Sequence, residues 1–310
     1  MINRDAITAV RGSSMILVTG ANGFVGRHVV RRLAADGQHV RALVRRPEGF
    51  AAPGGVDVVA GDVTQPPTLT AALEGVSKVV HAAAITGNHK EPYRGAYRDV
   101  HEVGTTNLMD AARGAGVGRV VLVSGLGTVP AAEGTYMATR WAMEEAVRNS
   151  GIPWVIIQPS VQFGDDAEFI AALARLARIS PVVPAISSSH DLFQPIWVED
   201  VVTIVEKALG DDTLLRRAIA VGGPDHLKFA QILHAIIETM GKKRLVAPLP
   251  IGIARVQAAL MSFLPKPPLT SATLELFGFE NTTDLDAVQQ NFGFAPRGLR
   301  EHLRQNGLAG

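Results

Sequence analysis

Short apolar runs alternate with amphipathic stretches along the first half of the chain. In the first amphipathic stretch, Val29, Val30 and Leu33 fall on one face of a predicted helix. The predicted strands are the run from Met15 to the residue before Gly20, then His39–Val44, Val56–Ala60, Lys78–His81 and Arg119–Val123, and the predicted helices include Gly26–Asp36 and about Tyr97–Arg113. Five such alternations within about 150 residues predict an α/β fold built on a doubly wound parallel sheet.

The regular alternation stops near residue 165, and the second half of the chain is predicted to be mainly helical. Predicted helices cover Phe169–Ile179, Phe229–Met240 and Ile251–Leu264. The polar segment Ser187–Gln194 either lines a pocket or forms a solvated connection, because serine and aspartate also favour turns. We therefore divide the chain into a flexible tail at 1–14, a sheet domain at 15–164 and a smaller lobe at 165–310, with 191–224 returning to the sheet domain.

A glycine-rich turn joins the first predicted strand to the first predicted helix. Its glycines, Gly20, Gly23 and Gly26, are spaced G-x-x-G-x-x-G. Such a turn lets the chain leave the strand sharply, approach a pyrophosphate and pack the helix on the sheet, while the helix N-terminus faces the phosphates. The sequence thus predicts a dinucleotide-binding Rossmann domain at 15–164. The residues expected to contact the pyrophosphate are Gly20, Asn22, Gly23, Phe24, Val25 and Gly26.

Further cofactor-binding residues are expected at the ends of the next strands. Arg45 follows the second strand, where NAD enzymes usually carry an acidic residue and where an arginine accommodates a 2′-phosphate. With Arg27 as a helper it favours NADP(H), with NAD(H) as the second possibility, and a solvated strand end is the alternative interpretation. Near the adenine we expect Asp62 and Val63, and near the ribose and phosphates we expect Ala82, Ala83 and Ala84.

Composition narrows the class of protein. The chain has 310 residues, 47% of them hydrophobic and 19% charged, which predicts a globular protein. A net charge of +1 gives no electrostatic case for nucleic acid, and the absence of cysteine excludes disulfides and thiolate metal sites and fits the cytoplasm. We see no metal-ligand spacing and no membrane span; the apolar helix in Leu249–Leu264 is expected to cover a core, a channel or a partner.

Two polar features are interpreted as structural. His81 lies in an apolar strand and is predicted to be a core residue. Glu199 and Asp200 begin a helix after Trp197 and are predicted to cap it.

Several motifs together resemble the short-chain dehydrogenase/reductase superfamily in its extended and atypical branch, which includes nucleotide-sugar epimerases. They are Thr19–Gly26, Gly61–Asp62, His81–Ala84, Val123–Ser124, Tyr136 with Arg140, Gln158–Gly164 and Pro195–Val201. The late Pro268–Thr270 and Asn281 look most similar to the atypical group related to an accessory subunit of respiratory complex I. The resemblance implies an oxidoreductase or epimerase-like enzyme with a small-molecule substrate in an apolar pocket, and, by analogy, a possible homodimer.

The resemblance also implies catalytic residues. The family uses a tyrosine as acid or base, a lysine four residues later and an orienting serine or threonine. The matching residues here are Tyr136, Arg140 and Ser124, and spacing of i and i+4 puts the first two on one helix face. By register the hydroxyl position also falls on Gly125 or Leu126, and Thr128 is a possible substitute. Pro159 and Val161 are expected to flank the nicotinamide carboxamide.

The chain departs from the family pattern at three points. Arg140 replaces the lysine; Gln158 replaces an arginine that braces the substrate pocket; His101 replaces an asparagine that steadies the active-site backbone. Arginine keeps the positive charge and the donors but does not relay a proton. The leading hypothesis is hydride transfer between NADP(H) and a carbonyl or hydroxyl substrate. The alternative is a catalytically degenerate NADPH sensor or structural protein. A serine hydrolase is excluded because Val123–Gly127 is not G-x-S-x-G.

Overall fold

A seven-stranded parallel sheet organises the fold. The computed structural model describes residues 14–88, 90–188, 192–261 and 270–308. The sheet order is β11-β6-β5-β4-β1-β2-β3. Its strands are β1 (Met15–Thr19), β2 (Val40–Val44), β3 (Asp57–Ala60), β4 (Val76–His81), β5 (Arg119–Val123), β6 (Trp154–Pro159) and β11 (Arg217–Val221). Because strand order reverses between β1 and β4, a ligand crevice opens at the carboxyl ends of these two strands.

Helices cover both faces of the sheet, which explains why the strands are apolar on both faces. On one face, α1 (Phe24–Ala35) and α7 (Val198–Gly210) pack in a single buried cluster. On the other face lie α2 (Pro66–Ala72), α4 (Gly104–Gly114) and α5 (Tyr136–Arg148), together with α3 (Ala96–Arg98) at the edge.

A third buried cluster forms the smaller lobe. Its helices are α6 (Glu168–Ile179), α8 (Phe229–Thr239), α9 (Ile251–Met261), α10 (Ser271–Leu276) and α12 (Leu299–Asn306), and its short strands are β7 (Gln162–Phe163), β8 (Val182–Ser187), β9 (Leu192–Phe193), β10 (Ile196–Trp197), β12 (Leu227–Lys228) and β13 (Leu245–Pro250). The helix α11 (Ala287–Phe292) packs instead through Val288 and Phe292 in the cluster that contains α1 and α7. The rings of Phe193, Phe229 and Phe277 contact one another with centroids 5.2 to 5.9 Å apart. These aromatic rings give the lobe an apolar interior that reaches α10.

The predicted doubly wound sheet is confirmed, while one predicted helix is interrupted. The stretch predicted as one helix over Tyr97–Arg113 contains a π-helical turn at Asp99–Val103. This turn brings His101 inward, where the side chain is fully buried. Because π-helical turns are frequent at functional sites, His101 is a candidate functional residue.

The predicted capping role of Glu199 and Asp200 is wrong. No side chain caps the start of α7. Glu199 instead pairs with Arg32 on α1, with Oε2 2.8 Å from NH2. Asp200 Oδ2 accepts from the backbone amide of Arg297 at 2.7 Å. Both carboxylates therefore hold α7 to other parts of the chain.

Some predictions fall on residues outside the described ranges. They are the tail at 1–13, residues 189–191 of the polar segment, residues 262–264 at the end of the apolar helix, and Pro268 and Leu269 of the late motif. Within the described ranges, no helix is both long and apolar enough to cross a membrane. The apolar helix predicted in Leu249–Leu264 is described as α9, which leaves Val256 and Leu260 exposed.

Candidate active site

The glycine turn leaves no room for side chains where β1 meets α1. Gly20 has φ +65°, and a Cβ there would lie 2.5 Å from the carbonyl oxygen of Ala82 at the end of β4. A Cβ at Gly26 would overlap the carbonyl oxygen of Gly20. The amide of Gly23 donates to that same oxygen at 2.8 Å. Gly20 and Gly26 are therefore required by close backbone approach at the crevice between β1 and β4.

The N-terminus of α1 is open to a ligand. Its N-cap is Gly23, and no side chain caps the helix. The first-turn amides of Phe24 and Val25 have no earlier helical carbonyl to bond. A diphosphate is the group that such an end accommodates, because the amides and the helix dipole both favour negative charge. The turn therefore fits the diphosphate of a dinucleotide.

Two residues predicted to bind the adenosine part of the cofactor, Arg45 and Asp62, differ in whether they bond to other residues of the chain. Arg45 is exposed at the end of β2, and no hydrogen bond or ion pair holds it in the described part of the chain. Asp62 Oδ1 accepts from both the amide and the hydroxyl of Thr64 at 2.9 Å, which fixes its turn. Arg27, the predicted helper of Arg45, pairs with Asp166, NH2 to Oδ2 3.4 Å. Of Arg45, Arg27 and Asp62, only Arg45 has no hydrogen bond or ion pair with another described residue.

The remaining predicted cofactor residues line the same edge of the sheet. Ala82 and Ala83 are half-buried and Ala84 is exposed directly after β4, while Val63 is buried after β3. Pro159 ends β6, and its carbonyl accepts from the amide of Leu126 at 2.9 Å. The carbonyls of both Pro159 and Val161 are engaged by backbone amides, since Val161 accepts from Ile196 at 3.0 Å. Contact of Pro159 and Val161 with a nicotinamide stays a prediction.

Tyr136 is buried at the first turn of α5 among aromatic and backbone groups. Its ring meets Tyr97 edge to face with centroids 5.0 Å apart, and His101 with centroids 5.7 Å apart. A backbone hydrogen bond from Gly87 reaches the phenol. Thr273 on α10 donates to the carbonyl of Gly87 at 2.8 Å, so the loop at Gly87 is held between Tyr136 and the smaller lobe.

Burial raises the pKa of the Tyr136 phenol above its usual value of 10. The charge of Arg140 and the hydrogen bond from Gly87 lower this pKa, but they do not outweigh burial, and the carboxylate of Glu275 raises it further. The phenol is therefore protonated at neutral pH, which suits it to give a proton.

Arg140 is buried, and no carboxylate in the described part of the chain pairs with it. Its side chain is 7% exposed, and NH2 donates to the carbonyl of Leu126 at 3.3 Å. Its Cζ lies 5.8 Å from the centroid of the Tyr136 ring. Among the described residues no acidic side chain forms an ion pair with it, although a guanidinium carries five donors. No nitrogen of Arg140 is among the buried side-chain atoms that lack a partner in the described chain, so its free donors are accessible to an acceptor from outside the chain.

Ser124 does not face Tyr136 with a free hydroxyl. Its Oγ donates to Oε1 of Glu144 at 2.5 Å, and Glu144 is fully buried on α5. Gln158 Nε2 donates to the same oxygen at 2.9 Å, and Arg148 NH2 lies 2.6 Å from Oε2. The alternative hydroxyl, Thr128, donates to the carbonyl of Gly125 at 2.7 Å. Both candidate hydroxyls are thus committed to groups within the chain.

His101 holds the backbone beside Tyr136. The hydroxyl of Thr139 donates to the carbonyl of Tyr136 at 2.8 Å and lies 2.9 Å from Nδ1 of His101. Nε2 lies 3.0 Å from the amide nitrogen and 3.1 Å from the carbonyl oxygen of Ile85, so the backbone of Ile85 offers this nitrogen a partner in either tautomer of the ring. Burial lowers the pKa of His101 to about 3, which keeps the ring neutral. Histidine therefore contacts the backbone at the position where the family carries an asparagine.

His81 is the core residue that the sequence predicts. It is fully buried, with Nδ1 2.7 Å from Thr19 Oγ1 and Nε2 2.9 Å from Thr105 Oγ1. Burial lowers its pKa to about 4.

Two residues near Tyr136 were not predicted from the sequence. Glu275 on α10 accepts from the amide of Met137 in the first turn of α5, at 3.3 Å. Tyr97 packs on the Tyr136 ring, and burial raises its pKa to about 12. No local pattern marks either residue, because both reach the site through packing of distant segments.

Comparison with known proteins points to one family. A model described as NAD(P)H-binding matches residues 20–173. The (4-alkanoyl-5-oxo-2,5-dihydrofuran-3-yl)methyl phosphate reductase of Streptomyces griseus is 32% identical over 84% of this chain and 85% of its own. The structure of MoeE5 in complex with UDP-glucuronic acid and NAD is 23% identical, with a TM-score of 0.72 over 94% of this chain and 97% of its own. At that identity the structure shows the fold alone.

A shorter match carries higher identity. The ceramide reductase of Caulobacter vibrioides is 35% identical over 195 residues, which make up 62% of this chain. The match spans 59% of the length of that reductase, and matches to three uncharacterized mycobacterial proteins span 30% of theirs.

Proposed function

This chain belongs to the extended and atypical short-chain dehydrogenase/reductases, which bind a nicotinamide cofactor, and from that premise we propose that it is a reductase of apolar carbonyl compounds. Membership follows from the Streptomyces reductase, which is 32% identical over 85% of its length. The observation that carries the proposal is the buried pair of Tyr136 and Arg140 on one face of α5, in which the guanidinium of Arg140 has no partner carboxylate among the described residues.

The residues present fit a dinucleotide. The turn from Gly20 to Gly26 would hold the diphosphate, because any Cβ at either glycine would strike backbone atoms. Arg140 would bond the nicotinamide ribose, and the backbone after β6 at Pro159 and Val161 would flank the carboxamide. These assignments rest on the geometry of the turn and on the buried donors of Arg140.

Reduction is the direction that the site favours. When bound, NAD(P)H supplies a hydride to the carbonyl carbon and leaves as NAD(P)⁺. Tyr136 gives its phenolic proton to the carbonyl oxygen, so that an alcohol forms, and the phenolate then regains a proton from solvent. The Tyr136 phenol is protonated at neutral pH, as this step requires, whereas oxidation of an alcohol would need the phenolate.

The substrate class is argued from the lobe that covers Tyr136. The aromatic cluster of Phe193, Phe229 and Phe277 extends to α10, which contacts the loop at Gly87 above the phenol. A relative is named ceramide reductase, and its name agrees with an apolar substrate. We therefore propose an apolar aldehyde or ketone.

The first experiment is Tyr136→Phe, with NADPH oxidation by trans-cinnamaldehyde as the assay and NADPH fluorescence as the binding measurement. Turnover should fall at least about 100-fold, because general acid catalysis contributes that much, while NADPH still binds. Tyr93→Phe is the matched control, since Tyr93 is 54% exposed. Equal turnover in wild type and Tyr136→Phe would refute the assignment, and NADPH binding with no turnover in any variant would favour the non-catalytic sensor.

NADP(H) is the proposed preferred cofactor. Arg45 is an exposed cation at the end of β2, without a hydrogen bond or ion pair among the described residues, and would pair with the 2′-phosphate. In paired titrations of NADPH and NADH, Arg45→Glu should reduce the preference for NADPH about 10-fold or more, because charge-assisted hydrogen bonds are the strong ones. Arg113→Glu on the surface of α4 is the control, and an unchanged preference in Arg45→Glu would contradict the proposal. A cytoplasmic location and a homodimer remain predictions.

A further inference from the structure

The guanidinium of Arg140 lies in the space that a side chain at residue 125 would occupy. A Cβ at Gly125 would overlap NH2 of Arg140 and lie 2.9 Å from its Cζ. Any side chain at residue 125 therefore excludes the present position of the guanidinium. By register residue 125 is one of the positions where a catalytic hydroxyl is expected, so the guanidinium fills the space that such a hydroxyl would take.

The hydroxyls that remain nearby are committed elsewhere. Ser124 donates to Glu144 at 2.5 Å, and Thr128 donates to the carbonyl of Gly125 at 2.7 Å. Neither has its proton available for a substrate oxygen. Arg140 has most of its five donors uncommitted, since only its bond to Leu126 joins it to the described chain.

We propose that Arg140 acts as the electrophilic hydrogen-bond donor to the substrate carbonyl oxygen beside Tyr136, and so replaces both the lysine and the serine of the family. This inference rests on the proposed reductase function. As hydride reaches the carbon, negative charge develops on the oxygen, and a fixed cation next to the phenol stabilises it before Tyr136 completes proton transfer. Gly125 is a positioning residue, because its missing side chain seats the guanidinium.

A double-mutant cycle tests the pair. Arg140→Lys and Gly125→Ser should each lower kcat about 100-fold, as expected when one transition-state donor is lost. The double variant restores the lysine and the hydroxyl together, and its kcat should return to within about 10-fold of wild type, whereas independent effects would multiply. Gly114→Ser is the matched control, because nothing lies within 4 Å of a Cβ at that glycine.

Melting temperatures provide a readout that does not depend on turnover. Gly125→Ser should lower Tm when residue 140 is arginine and leave it nearly unchanged when residue 140 is lysine. Equal Tm losses in both backgrounds would overturn the shared position. A third outcome is that the Tm loss from Gly125→Ser depends on residue 140 while the kcat losses of the two single variants multiply in the double variant. That result would refute the donor role and show that Arg140 is a packing residue. If wild type itself shows no turnover, the reductase proposal fails first and this inference fails with it.

Discussion

Asp200 makes folding stability depend on pH in an unusual direction. The carboxyl is 8% exposed at the start of α7, and burial raises its pKa from 3.8 to about 6. The neighbouring Glu199 raises this pKa further, while the amide of Arg297, 2.7 Å from Oδ2, and the charge of the Arg297 side chain lower it. Because the folded state holds this proton more tightly than the unfolded state, the contribution is largest below pH 4 and is lost as pH rises to about 6.

The magnitude follows from the same pKa values. At about 1.36 kcal/mol per pKa unit, a rise from 3.8 to about 6 corresponds to about 3 kcal/mol, an upper limit because part of the side chain meets water. In Asp200→Asn the amide oxygen still accepts from Arg297, and no charge is buried at any pH. The variant should therefore be more stable than wild type at pH 8 by about 1–3 kcal/mol, and this advantage should vanish near pH 4.

Urea unfolding of both proteins at several pH values measures the difference, and contributions from other titrating groups cancel. Asp211→Asn is a control of opposite sign, because hydrogen bonds from Thr213 lower the pKa of Asp211, whose contribution is present above pH 4 and lost as pH falls. A difference between wild type and Asp200→Asn that stays constant with pH would refute the reasoning.

The remaining predictions concern the site. Gly20→Ala should lose NADPH binding and lower Tm, because its Cβ would lie 2.5 Å from the Ala82 carbonyl; full binding by titration would refute the turn assignment. Ser124→Ala should keep kcat but lower stability in urea by about 1–3 kcal/mol, since Glu144 loses a donor, and a large loss of kcat would restore Ser124 as catalytic. His101→Phe should lower both Tm and kcat, as it releases Ile85; unchanged values would argue against that support.

The sheet could be predicted because its information is local. Apolar runs, the intervening helical periodicity and the glycine turn each fit within a short window. The π-helical turn at Asp99–Val103 could not be predicted this way, because it is stabilised by contacts of His101 with Ile85 and Thr139, which lie 16 and 38 residues away in sequence.

The sequence predicted the proximity of site residues only where both residues lie on the same helix. Tyr136 and Arg140 share a face of α5 because of their spacing, and the structure keeps them together. The family motif also includes Ser124, but its hydroxyl donates to Glu144. This hydrogen bond depends on how α5 packs against β5, which the sequence pattern does not reveal. Glu275 comes from the smaller lobe, so only the folded chain brings it to the first turn of α5.

The residues that differ from the family pattern, His101, Arg140 and Gln158, favour a site that keeps a function over one that has lost it. A site that loses its function leaves buried polar groups unpaired, and each such group costs stability. Here His101 holds Ile85, and Gln158 joins Ser124 in satisfying Glu144. Arg140 is the exception, because it is seated by Gly125 yet keeps donors without acceptors in the described chain. These donors are not among the buried atoms that lack a partner in the described chain, so they are accessible, which favours a ligand oxygen as the partner that completes the site.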